Sequence, residues 1–97
     1  MPTPRTLVHS AWFDYAVNRL GGAEAMDELL GRELYRLALY ADLVPVAAGC
    51  DELRIYRTDP FLREDGHLIR VWIYFTLQKD GAVALQHIEA IEEDMET

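Results

Sequence analysis

Cysteine is almost absent from this chain: Cys50 stands alone. A single thiol cannot close an intrachain disulfide, and it cannot furnish a cysteine-rich zinc site. With no base beside it in the sequence, Cys50 reads as a small, partly buried residue rather than a reactive one. Long apolar runs are absent as well. No window approaches the roughly 18 apolar residues of a membrane span, and the opening residues lack an apolar run of signal-peptide length. A reducing cytoplasm and no membrane contact are therefore expected. Basic residues are few, nine against seventeen acids, for a net charge of -8. That balance disfavours loose electrostatic binding to nucleic acid. There is no phosphate-binding glycine loop, no serine-nucleophile motif and no zinc motif. No cofactor and no metal site is expected.

What the chain does hold is apolar residues, 51% of its 97. A chain of that size and composition can bury one modest core without staples. The acidity is uneven. From Glu89 onward there are five acids and no base, whereas residues 1–88 hold twelve acids and nine bases. This divides the chain into one domain over 1–91 and an acidic tail over 92–97. Glu89, Glu92 and Glu93 read as part of that acidic end rather than as a cation site.

Local patterns order the elements. Residues 5–9 suit a short strand at a sheet edge. Ser10 is an N-cap, and Trp12, Phe13, Ala16, Val17 and Leu20 follow at helical spacing. Gly21-Gly22 stops that helix. A second helix runs over 23–42 on a stripe of Met26, Leu29, Leu30, Leu34, Leu37 and Ala41, up to Val44-Pro45. Residues 46–51 read as a loop, 53–58 as a strand, and Phe61 and Leu62 as part of a connecting loop. From His67 to Gln78 every odd position from Ile69 to Leu77 is apolar, while Arg70, Trp72, Tyr74, Thr76 and Gln78 occupy the even ones. Period two over that length is a half-buried strand. Lys79-Asp80-Gly81 is a hairpin turn, and 82–91 returns. The fold expected is α+β: a helix hairpin packed on a small antiparallel sheet in β-α-α-β-β-β order.

The return strand admits two registers. A two-residue turn sets His87 beside Tyr74. A three-residue turn with Gly81 in the left-handed position pairs Tyr74 with Gln86, and sends Val83, Leu85 and His87 to the aliphatic face. A slip of one residue flips every side chain. The three-residue form is favoured, because Val83 and Leu85 then meet Leu77 and Phe75.

If Leu53 and Ile55 also face the core, Arg54 and Tyr56 join Arg70, Trp72 and Tyr74 on the open sheet face. Arginine offers a planar fork for phosphate or carboxylate. Tyrosine and tryptophan offer stacking surfaces for bases, and all three types anchor protein interfaces. Cross-strand pairs that merely shield the sheet are a third use. His9, His67 and His87 lack ligand spacing, and His87 is the best placed of them for acid/base work.

The order short strand, helix hairpin, antiparallel meander resembles the RelE/ParE superfamily of bacterial toxin–antitoxin systems. The residues that carry the likeness are Leu53-Arg54-Ile55, Ile69-Arg70-Val71-Trp72-Ile73-Tyr74, Lys79-Asp80-Gly81 and Val83-Ala84-Leu85-Gln86-His87-Ile88. Members of that family cut messenger RNA or inhibit DNA gyrase, and an antitoxin wraps them. The RNA-cutting members work without metal, through basic and aromatic side chains on the open sheet face and near the C-terminus. Arg54, Arg70 and Tyr74 match the sheet part of that pattern. Where those toxins carry basic residues near the C-terminus, this chain has Glu89 to Glu96.

The resemblance implies action by protein contact, with an antitoxin-like chain or a target enzyme as partner and Tyr56 and Trp72 among the binding residues. It leaves open a metal-independent endoribonuclease using Arg54, Arg70, Tyr74 and His87, with RNA as substrate. A small acidic inhibitor or adaptor of a nucleic-acid-handling enzyme is a third option, and a homodimer a further arrangement.

Overall fold

The computed structural model describes residues 3–20, 22–49, 52–62, 66 and 68–92, with side chains except at 22–29 and 61. Gly21, Cys50, His67 and residues 93–97 lie outside the described residues, as do the side chains of Met26 and Leu29.

Ser10 starts the first helix as its residue type requires. Its backbone is extended, and its hydroxyl accepts the Phe13 amide at 3.0 Å, satisfying one donor that helix geometry leaves orphaned. Helix α1 spans Ala11–Arg19 and buries Phe13, Ala16 and Val17. Trp12, which falls near that stripe in sequence, is 75% exposed. Helix α2 spans Gly22–Tyr40 and continues as a 3₁₀ turn over Ala41–Leu43. The chain thus leaves helical geometry just before Val44-Pro45, since proline disfavours it in the preceding residue. Among the described side chains of this segment Leu30, Leu37, Ala38 and Ala41 are buried, and so is Glu33. Beyond it Val46 bridges Arg54, with Gly49 at φ +81° in the turn between them.

The strands are β1 (Leu7–His9), β2 (Arg54–Arg57), β3 (Phe61–Leu62), β4 (Leu68–Leu77) and β5 (Val83–Glu92). They form one sheet in the order β1-β5-β4-β2, with β3 also paired to β4. The α+β class stands, but the sheet is mixed rather than antiparallel throughout. Strand β1 runs parallel to β5, with Leu7 opposite Val83 and His9 opposite Leu85. Neighbouring strands in parallel need a long connection, and here the helices and the meander supply it. The segment expected to be loop at Phe61 and Leu62 pairs with Ile69 and Leu68. The acidic end was expected to begin at residue 92, but β5 includes Glu92, opposite Ile69.

The alternation of β4 is realised as expected. Ile69, Val71, Ile73 and Phe75 are buried, and their even-numbered neighbours are half-buried. Val71, Ile73 and Phe75, together with Val83, Leu85 and Ile88 of β5, pack against Phe13, Val17, Leu30 and Leu37 of the helices. Each such large side chain contributes about 1.5–3 kcal/mol by leaving water.

The hairpin tip carries the three-residue turn. Gln78 and Ala82 close it, the Gly81 amide returns to the Gln78 carbonyl at 2.9 Å, and Gly81 sits at φ +89°. That is a type I turn followed by a left-handed bulge residue. Near the tip, Leu77 pairs with Val83 and Phe75 with Leu85. A second bulge then intervenes. Gln86 has no partner in the ladder, and from Tyr74↔His87 onward the register is the one expected of the two-residue turn. Both registers are therefore present, one on each side of Gln86.

Candidate functional site

Residues opposite one another in a ladder share a sheet face, so the register defines the face turned away from the helices. Strand β4 contributes Arg70, Trp72 and Tyr74 to it. Strand β5 adds Ile91, Glu89 and His87 opposite them, and β2 adds Arg57 opposite Trp72 and Ile55 opposite Tyr74. His87, expected on the aliphatic face, is on this open face and exposed. The extra residue at Gln86 moves it across. Ile88 consequently faces the core and is 1% exposed.

The expected facing of β2 is reversed. Arg54 lies opposite Phe75 and Tyr56 opposite Ile73, both core positions, so both side chains are on the helix side. Arg54 Nη1 donates to the Val44 carbonyl at 2.5 Å and so ties β2 to the end of the 3₁₀ turn. Tyr56 Oη donates to Glu33 Oε2 at 2.6 Å. Glu33 is only 3% exposed, and Arg36 and Arg32 approach its other oxygen at 3.4 and 3.6 Å. A buried carboxylate needs such partners, and that need decides which way β2 faces. Burial, and then the Glu33 carboxylate, push the Tyr56 hydroxyl up to about 12.

Arg57 takes the place expected of Arg54. Its guanidinium stacks on the Trp72 ring, 4.4 Å from the centroid, the geometry of a cation–π pair. Tyr74 donates its hydroxyl to the Glu89 carboxylate, two positions along the neighbouring strand from His87. The Tyr74 and His87 rings lie 5.5 Å apart at 46°. Burial and then Glu89 push the Tyr74 hydroxyl up to about 12, against a smaller opposite pull from Arg57. The Trp72 indole N–H is buried without a hydrogen-bond partner among the described residues.

Of the residues expected to do chemistry, Arg70, Tyr74 and His87 share one face and Arg54 does not. Arg70 is four residues from Tyr74 along β4, roughly 13 Å at strand rise. Tyr74 and His87 are neighbours with a carboxylate beside them, and the Tyr74 proton is firmly held. The arrangement offers stacking surfaces and paired charges on one face. Of the two expected binding residues, Trp72 is on the open face and Tyr56 is not. Among the described residues no cluster of histidine, cysteine and acids is disposed to hold a metal ion.

Arg57, Ile55, Glu89 and Ile91 are members of the face that sequence reasoning missed. Arg54-Ile55-Tyr56-Arg57 offers an amphipathic residue to either side, so its alternation does not specify a facing. Glu89 looks like the start of an acidic tail until pairing with Trp72 puts it in the sheet. No helix of the described residues is long and apolar enough to cross a membrane. Compared with protein-family models, with curated proteins and with solved structures, the chain finds no match.

Proposed function

We propose that the chain acts as a RelE/ParE-like protein of the toxin–antitoxin type whose work is done by protein contact, through the open face of β2, β4 and β5. The observation that carries this reading is the exposed Arg57 stacked on Trp72, with Tyr74 and His87 beside it. Arginine and aromatic side chains held in place by one another lose little entropy on association, and these types dominate interface hot spots. The partner is an antitoxin-like chain or a target enzyme, met in the cytoplasm.

Glu89 supports protein over RNA. It lies opposite Trp72, near the middle of the face, and its carboxylate would repel a phosphodiester. It would equally oppose the charge that builds up during strand cleavage. The element order, with a short strand, a helix hairpin and then a meander, supports the family part of the reading.

Affinity capture from a native extract tests it, with three variants run in parallel. A specific partner should be retained by the native chain and by Trp12→Ala, whose side chain is on an exposed helix surface. It should be lost with Arg57→Ala and with His87→Ala, each exposed and removable without opening the core. Retention by both sheet-face variants would sink the reading. So would cleavage of added RNA that persists in chelator and is lost in Arg70→Ala, which would restore the nuclease alternative.

A further inference from the structure

A second concavity lies on the helix side, away from the face just described. Strand β2, α2 and the 3₁₀ turn enclose a groove of about 290 Å³ lined by Arg36, Leu37, Tyr40, Leu43, Val44 and Tyr56. Its wall is almost wholly apolar or aromatic. Leu37 is buried in the core beneath it, while Leu43 is 74% exposed and Tyr40 is 48% exposed. The lining is that of a small-ligand site, and the size falls just under the usual range of roughly 300–1,000 Å³.

The polar element is charged. Glu33 sits behind Tyr56 with its side chain 4% exposed, whereas Arg32 and Arg36 are more than half exposed. One Glu33 oxygen is taken by Tyr56, and both guanidiniums share the other at 3.4–3.6 Å. Charge-assisted bonds at full strength are shorter, roughly 2.7–2.9 Å. Among the described residues two cations thus share one carboxylate oxygen, loosely. Arg36 lines the groove and carries five N–H donors. Among the described residues it bonds Glu33 at 3.4 Å and acts on the Tyr56 hydroxyl beside it.

We infer that this groove binds a small monocarboxylate with an aromatic or branched apolar body. Arg36 holds the carboxylate, and Leu37, Val44 and the rings of Tyr40 and Tyr56 enclose the body. A neutral ligand would offer the Arg36 guanidinium, held only at 3.4 Å by Glu33, no charge-assisted bond. An amine would meet Arg36 with like charge, because the Glu33 oxygens are already occupied. A phosphate would gain nothing from an apolar wall.

Methyl-labelled full-length protein titrated with 4-phenylbutyrate, and separately with its neutral amide, decides the matter. Saturable shifts are expected at Leu37, Leu43 and Val44, with the acid binding about tenfold more tightly than the amide, the lower end of what one charged hydrogen bond is worth. Arg36→Met keeps the bulk of the side chain and should bring the acid down to the level of the amide without changing amide binding. Equal affinity of acid and amide for the native protein would overturn the inference, and needs no variant to fold. Shifts confined to the open sheet face, or no saturable shift at the groove, would overturn it too.

Discussion

At the scale of single residues, the two hydroxyl–carboxylate pairs are the most informative feature. Tyr56 and Glu33 lie on the helix side, and Tyr74 and Glu89 on the open face. The first pair involves a buried carboxylate, so removing its donor leaves an oxygen unsatisfied. Tyr56→Phe should destabilise the fold by about 1–3 kcal/mol, measured by urea unfolding. Tyr74→Phe should cost less, because its partner Glu89 is only half-buried.

Both tyrosines have pKa values raised from 10.0 to about 12. A tyrosine raised in this way binds its proton more tightly when folded. Its contribution is fully present below pH 10 and is lost as pH rises from 10 to about 12. The urea midpoint should therefore fall across that interval, and fall less in the Tyr56→Phe, Tyr74→Phe double variant. An equal fall in both proteins would contradict the assignment.

At the scale of elements, β4 separates stability from surface. Ile73 is fully buried between the helices and the sheet, so Ile73→Ala should cost about 2–5 kcal/mol. Arg57→Ala, on the exposed side of β2, should stay within about 0.5 kcal/mol of the native protein. The pair of values is read from denaturant midpoints. At the hairpin tip, Gly81 holds φ +89°, and an added Cβ would come within 3.1 Å of Arg5 Nη1. Gly81→Ala should destabilise by about 1–2 kcal/mol, and Arg5→Ala should not rescue it, because the backbone conformation rather than the neighbour is the larger obstacle. Full rescue would reverse that order. Ser10→Ala should cost roughly 0.5–2 kcal/mol through the lost cap of α1.

For the molecule as a whole, one buried cluster joins both helices to β4 and β5. A single shared core implies one cooperative transition. Far-ultraviolet circular dichroism and tryptophan fluorescence should lose signal at the same urea concentration. The fluorescence change should come mainly from half-buried Trp72, since Trp12 is already 75% exposed. Trp12→Phe should therefore leave the amplitude largely intact. Separate transitions would mean that the helices and the sheet do not share the core.

The hairpin was legible in the sequence because everything that specifies it is local. The alternation over β4 distinguishes its faces, and Asp80-Gly81 accepts a backbone that few residues can adopt. Ser10 and the apolar spacing after it mark α1 in the same way. What needed the tertiary structure was each choice between two locally equivalent states. Strand β2 could present either side, and the buried Glu33 carboxylate, far away in sequence, settled it by requiring Tyr56. Strand β5 could follow either register, and the bulge at Gln86 let Val83 and Leu85 pack near the tip while placing Ile88 inward and His87 outward. Strand β1 could have stood at either edge in either direction, and three residues carry too little pattern to decide. Local chemistry therefore determined which segments form helices and strands, except the two-residue β3, which only its pairing with β4 makes a strand. Long-range burial decided which arginine meets Trp72, because the facing of a short amphipathic strand costs nothing until it is packed.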